Sequence, residues 1–359
     1  MARDSLFGER IVWQGRCRAG TVPFGNKVAS VAAGTVSAVT LSYAVVAAAS
    51  LRAPVGGMVL LAGWCATIAL VAWRGPLWWR SRVEYLVTDR HVIWRRGPIR
   101  RSIDIAQVSY ALIQWSRKDP TVGDLVIVRA VPTGALRRTL SLTLHEVDAP
   151  DRLWAIIRGI EVGAPLGRSD RPLPQRLDPG ERILWSGSPL ASAWPARRVA
   201  TAIAGAALAA AFVRSMARSV PGLAHVVRLH ALSPAMVATL VGGAALGMLL
   251  LFSVAVGVGY AAVLRPVRLA RATRYFVTNK RVLICRDHEE LSLDRGRIAY
   301  VIEAPARKLH DVFLVLDGPQ ARAMAPSGAF ATDRDDSLQP VFAAIADAAT
   351  VGEILKKAA

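Results

Sequence analysis

The sequence predicts two copies of one unit, each an apolar helical hairpin of membrane length followed by a small strand-rich domain that a C-terminal helix closes. Three observations carry this reading. Glu9-Arg10-Ile11-Val12-Trp13-Gln14-Gly15 returns as Glu181-Arg182-Ile183-Leu184-Trp185-Ser186-Gly187, and Tyr85-Leu86-Val87-Thr88-Asp89-Arg90-His91-Val92-Ile93 returns as Tyr275-Phe276-Val277-Thr278-Asn279-Lys280-Arg281-Val282-Leu283, in the same order. Each pair of phrases brackets a long uncharged block. The 359 residues are 53% hydrophobic, with a mean hydropathy of +0.34, high for a chain without membrane segments.

The upstream phrases lie 172 positions apart and the downstream phrases 190, so the second copy carries 18 extra residues between them. A polar loop between two apolar runs is the expected place for these. Formal net charge is +19, which suits an anionic partner. With apolar runs of this length, anionic lipid headgroups fit better than nucleic acid, and no nucleic-acid partner is expected. Cys17, Cys65 and Cys285 share no pairing or metal spacing. The first residues are polar and basic, without the short apolar core and small-residue cleavage site of a signal peptide.

In order, the expected first domain boundary is at 81: a lead strand and a first transmembrane hairpin fill 1–81. Its spans are 28–50 and 55–73, broken at Arg52-Ala53-Pro54 and closed by Trp73, Arg74, Trp78, Trp79, Arg80 and Arg82, the mixture of aromatics and cations found at membrane interfaces. Residues 82–161 form the first strand domain. Strands are expected at 83–88, 91–95, 99–105, 108–115, 124–130 and 139–144, with a closing helix at 151–160 started by Pro150. Residues 162–180 are a Pro-rich linker.

The second lead strand and hairpin occupy 181–271, with spans at 199–213 and 235–264 and a loop at 214–234 that carries Arg214, Arg218, Arg228, His225 and His230. The third span is the shortest of the four. The second strand domain fills 272–359, with a bend around Asp287-His288-Glu289-Glu290, strands at 297–303, 312–316 and 341–345, and a helix near 350–357. A longer, acidic loop with Asp333, Asp335 and Asp336 is expected near 325–337.

Basic residues next to the spans set the orientation. Arg10, Arg16, Arg18, Lys27, Arg74, Arg80, Arg82, Arg197, Arg198, Arg265, Arg268, Arg271 and Arg274 lie on the side of the strand domains, against Arg52, Arg214, Arg218 and Arg228 opposite. Both termini and both domains are therefore expected in the cytoplasm.

Each half resembles the bacterial pleckstrin-homology-like domain family, of the membrane-flanked kind. The residues that carry the resemblance are Glu9, Ile11, Trp13, Gly15, Tyr85, Val87, Thr88, Val92 and Ile93, with His91 where the pattern has Arg. In the second copy they are Glu181, Ile183, Leu184, Trp185, Gly187, Tyr275, Val277, Thr278, Arg281, Val282 and Leu283. The lead phrase is also similar to that of photosynthetic reaction-centre assembly proteins carrying the same domain. The resemblance implies two β-barrels, each of two packed antiparallel sheets with a helix across one end, in an inner-membrane protein. It implies no catalytic residues and no cofactor. Phosphoinositide binding is not expected, because the turns at 88–90 and 278–280 are too short to hold several cations.

One basic cluster stands out, Arg95, Arg96, Arg100 and Arg101 around Gly97-Pro98. Four guanidiniums at one turn could hold lipid phosphates or an acidic partner, or be a solvated turn on a basic protein. His225 and His230 are too far apart in helical phase to share a metal, and His288-Glu289-Glu290 lacks the second histidine of a zinc-protease helix and reads as a solvated turn. Gly243 and Gly247, four apart, suit close helix packing, chiefly within this protein. The apolar spans carry no Asp, Glu, Lys or Arg, which disfavours a carrier or pump. The expected function is a non-enzymatic membrane adaptor presenting its domains to proteins or lipid headgroups. The alternative is an assembly factor or accessory subunit of a large membrane complex, such as a photosynthetic one.

Overall fold

The computed structural model describes residues 8–18, 22–51, 55–131, 138–160, 173–190, 196–229, 234–298, 300–306, 309–316 and 338–356. The chain divides into two compact units. One joins Met1–Arg182 to His288–Arg297, and the other joins Ile183–Asp287 to Ile298–Ala359. The division follows the duplication except for one short segment of the second copy, which belongs with the first unit.

In the first unit, strand β1 (Ile11–Arg16) leads into helices α1 (Phe24–Leu51) and α2 (Gly56–Arg80). The helices run antiparallel, stapled by polar side chains to facing carbonyls: Asn26 Nδ2 donates to Ala72 O (3.2 Å), Ser30 Oγ to Ala69 O (2.9 Å) and Ser37 Oγ to Ala62 O (2.8 Å). Helix α2 continues through Pro76 to Arg80, seven residues past the expected end of the span.

Three strands follow, β2 (Glu84–Thr88), β3 (His91–Arg96) and β4 (Ile99–Asp104), and with β1 they form a sheet ordered β1-β2-β3-β4. Strands β5 (Tyr110–Trp115), β6 (Val122–Val131) and β7 (Arg138–Asp148) form a meander, and α3 (Pro150–Ile157) closes the unit. One core takes Tyr85, Val87, Val92 and Ile103 from the first sheet, Ile113, Leu125, Ile127 and Leu144 from the second, and Leu153, Trp154 and Ile157 from α3. Alternation along the strands puts these residues on facing surfaces.

The second unit repeats the plan with β8 (Ile183–Gly187), α4 (Ala196–Leu229), α5 (Pro234–Gly259), α6 (Arg265–Ala272), β9 (Thr273–Thr278) and β10 (Arg281–Arg286). After β11 (Glu289–Asp294) come β12 (Tyr300–Ala306), β13 (Leu309–Val315), β14 (Val341–Ile345) and α7 (Ala348–Lys356). The pairing registers agree between copies. Trp13 faces Val87 and Gly15 faces Tyr85, with a shift before Trp13; Trp185 faces Val277 and Gly187 faces Tyr275, with a shift before Trp185.

Among the described residues, four helices are long and apolar enough to cross a membrane, over Phe24–Val45, Gly56–Arg80, Arg198–Ser219 and Gly247–Ala272. Their side chains are little covered: Leu60 is 77% exposed and Trp64 67%. The third is longer than the expected span. Helix α4 runs unbroken to Leu229 through Arg214 and Arg218, where a loop was expected from 214. Charge ends an apolar run without ending a helix, since Arg is a good helix former. His230 and the acidic loop near 325–337 lie outside the described residues.

Between α5 and α6, Tyr260–Leu264 is a π-turn. The buried Arg198 side chain meets carbonyls there, Nε donating to Ala262 O (2.7 Å) and Nη2 to Val263 O (3.3 Å).

The expected barrels are not closed. In the first unit, among the described residues, no ladder joins β4 to β5. The reason is that β5 already has another neighbour: β11, from the second copy, pairs with it antiparallel, Glu290 opposite Ile113 and Ser292 opposite Ala111. Side chains fasten the strand. Trp154 Nε1 donates to Ser292 Oγ (3.0 Å), Arg158 reaches both Asp294 (3.3 Å) and Asp178 (2.7 Å), and Arg176 pairs with Glu290. Glu290 was expected on a solvated turn; it is 5% exposed and lies within the strand. The turn itself is tighter, with Asp287 at φ 55°.

Replacing Ser292 by Ala leaves the buried Trp154 N–H without its acceptor. The change is expected to cost about 1–2 kcal/mol, read as a lower denaturation midpoint of the full chain in detergent. Ser102→Ala, at the corresponding exposed place in β4, is expected to leave the midpoint unchanged.

Candidate functional site

The repeated phrases are explained by three local locks. In the β2–β3 turn, Thr88 Oγ1 accepts from the His91 amide (2.8 Å) and donates to Glu9 Oε2 (2.7 Å), while His91 Nδ1 contacts Glu9 Oε1 (2.8 Å). The Thr88 hydroxyl is the main cause that holds the Glu9 carboxyl below its ordinary range; burial opposes it and His91 adds to it. In the second copy Thr278 Oγ1 accepts from the Arg281 amide (2.9 Å) and donates to its carbonyl (2.8 Å). The threonine is thus a turn-forming hydroxyl in both.

The second lock is the Trp-x-Gly of each lead strand. The indole of Trp13 folds over Gly15 and that of Trp185 over Gly187, so close that a Cβ on either glycine would overlap the ring. Trp13 packs against the first core, and Trp185 stacks near Phe342 with centroids 5.8 Å apart.

The third lock was not singled out in the sequence, and it positions everything else. Opposite Asp124, strand β7 carries two residues, His145 and Glu146, one more than the register requires, and Glu146 has φ 51°. Their amides leave the ladder and are taken by side chains: His145 N–H donates to the Tyr85 hydroxyl (2.9 Å) and Glu146 N–H to Asp124 Oδ1 (2.8 Å). The Glu146 carbonyl accepts from the Arg18 amide (3.4 Å), beyond the end of the lead strand.

The second copy does the same. Ala343 N–H donates to the Tyr275 hydroxyl (3.1 Å), Ala344 N–H to Asp311 Oδ1 (2.7 Å), and the Ala344 carbonyl, at a residue with φ 51°, accepts from Leu190 (3.0 Å). The signal for this joint was present in the sequence, as the duplicated tyrosine and an aspartate directly before each matching Val/Leu strand.

In the first copy, ionisable side chains of the bulged residues take part in the joint as well. Asp124 Oδ2 meets His145 Nδ1 (2.9 Å), and Arg80, the last residue of α2, lies 3.9 Å from the Glu146 carboxylate. Burial would raise the Asp124 carboxyl, but the His145 and Glu146 hydrogen bonds outweigh it and hold it low. Burial pushes the Tyr85 hydroxyl and the Cys17 thiol up, so both stay protonated at neutral pH. A neutral buried tyrosine and a protonated thiol suit a structural joint better than nucleophilic chemistry.

The basic cluster lies on the β3–β4 hairpin. Alternation divides it: Arg95 and Arg100 face each other across the hairpin, while Arg96 and Arg101 point to the side that carries Val92 and Trp94. The Arg96 guanidinium lies over the Trp79 ring at the end of α2, 3.0 Å from its centroid, and Arg101 lies 6.0 Å from the Trp94 centroid. Arg82 covers Trp78 at 4.1 Å. The sequence showed the cluster and the tryptophans at the end of α2, but not that they meet.

Gly247 is exposed, with nothing among the described residues within 4 Å of where a Cβ would sit. The surroundings of Gly243 lie outside the described residues. Helices α4 and α5 approach closely at Gly205, where a Cβ would lie 3.3 Å from Val258 and 3.4 Å from the Gly259 backbone. Small residues at a crossing point let two helix backbones come this close.

No family model, curated protein or solved structure matches the chain.

Two outcomes test these locks. Gly15→Ala and Gly187→Ala are each expected to cost about 1–3 kcal/mol, because the indole must leave its seat, seen as a lowered thermal midpoint. Asp124→Ala is expected to be destabilising with a defined pH profile. Since the folded state lowers this carboxyl, its contribution is complete above the unfolded value near about 4. It declines below that and is gone once pH falls through the depressed folded value. The stability gap between wild type and variant, measured by denaturant titration, therefore closes on acidification.

Proposed function

We propose that this chain is a non-enzymatic membrane adaptor. Its four apolar helices cross a bacterial inner membrane with both termini on the cytoplasmic side, and its two strand domains, of the pleckstrin-homology-like kind, present surfaces there to proteins or lipid headgroups. The observation that carries this is how the first domain meets its helix. Helix α2 ends at Arg80 and β2 begins at Glu84, and the three residues between are flanked by two contacts, Arg80 to Glu146 and Arg96 over Trp79. A domain fastened within a turn of the span end stays at the membrane surface, unlike one on a flexible tether. The ring of Trp73, Trp78 and Trp79 with Arg74, Arg80 and Arg82 supports placing that end at an interface. The basic bias of the same side supports the cytoplasm.

Alkaline carbonate washing of membranes is expected to leave the full chain in the pellet; its release would contradict the membrane reading. Affinity purification from gentle detergent then separates the two roles. Several partners at low stoichiometry are expected for an adaptor. Recovery of the subunits of one large complex in fixed ratio would instead make the chain an assembly factor or accessory subunit.

A further inference from the structure

We infer that the β3–β4 hairpin of the first unit is a docking tip for an anionic bilayer, taking lipid phosphate between Arg95 and Arg100 while Pro98 and Ile99 enter the interface beside Trp78 and Trp79. The inference rests on the membrane reading above and adds to it a binding site and a ligand class.

Charge comes first. Arg95 and Arg100 are directly opposed on adjacent strands, where like charges repel. The acid in the same cross-strand row, Glu84, stands opposite Arg95 but is bonded to Arg16 at 2.9 Å. Among the described residues, no carboxylate pairs with Arg95, Arg96, Arg100 or Arg101. A phosphate between two guanidiniums removes the repulsion and gains charge-assisted hydrogen bonds.

Apolar exposure comes second. Ile99, at the tip, is 49% exposed, and Trp78 and Trp79, at the end of α2, are 56% and 50%. The Arg96–Trp79 stack brings the tip to the level of those rings. Exposed apolar groups interleaved with guanidiniums, at the end of an apolar helix, fit a headgroup layer. An acidic protein segment would satisfy the arginines but leave Ile99 and the indoles beside the span without a use.

The test is lipid binding to the purified full chain, by native mass spectrometry with phosphatidylglycerol against phosphatidylcholine. Wild type is expected to prefer phosphatidylglycerol. Each arginine removed should lower the preference roughly five-fold, so Arg95→Gln with Arg100→Gln should lower it about 25-fold, whereas Arg95→Lys with Arg100→Lys should keep most of it. The charge-matched control Arg90→Gln with Lys118→Gln, away from this tip, should keep it too. Ile99→Ser should weaken binding of both lipids. No preference in wild type, an unchanged preference in the double glutamine variant, or an equal loss in the control would overturn the inference. If the chain resists carbonate and yet shows one of these outcomes, the docking tip alone fails; if carbonate releases it, the membrane reading fails first.

Discussion

A left-handed residue in the last strand of each domain sets the geometry of the rest. Such a conformation costs a non-glycine residue roughly 1–2 kcal/mol, and it turns two amides away from the sheet. Buried amides need partners. Tyr85 and Asp124 supply them in the first copy, and Tyr275 and Asp311 in the second. The carbonyl at the same residue then receives the amide that follows the lead strand. The lead strand, the tyrosine hairpin, the aspartate strand and the last strand are thereby tied at one point, which is why widely separated phrases of the sequence recur as a set.

That joint is also where the copies differ. His145 and Glu146 are replaced by Ala343 and Ala344, so the backbone hydrogen bonds persist while the His145–Asp124 and Arg80–Glu146 contacts have no counterpart. In the first copy the fold's internal joint therefore also grips the end of α2. The basic hairpin has the same restriction: Arg95 to Arg101 in the first copy corresponds to Cys285 to Leu291 in the second, where Glu290 pairs with Arg176 inside the first unit. One strand serves as an exposed basic edge in one copy and as a buried neighbour of β5 in the other.

Much of this was legible in the sequence because it depends on short-range patterns. Apolar runs give the four helices, alternation gives the strands, and the duplicated phrases give matching registers. What escaped depends on partners far away in the chain. Nothing local in Glu289–Asp294 says that it will pair with Tyr110–Trp115, and the two acids at its start read as solvated until Arg176 is found beside Glu290. The helix through Arg214 and Arg218 escapes the sequence pattern because charge marks the end of an apolar face, not of a helix. The close approach of α4 and α5 at Gly205 and Gly259 likewise depends on where two helices meet, which neither helix shows alone. The Arg96–Trp79 contact joins two features that were each visible and 17 positions apart.

The central claim is that the first domain sits on the same side of a bilayer as the basic end of α2, with the α4–α5 connection on the other. Single cysteines placed at Arg117 and at His225 in an otherwise cysteine-free full chain test it with a membrane-impermeant thiol reagent. In intact cells with a permeable outer layer, the account predicts labelling at position 225 and none at 117 until the membrane is opened. Labelling at 117 from outside, or at both positions alike, would contradict it.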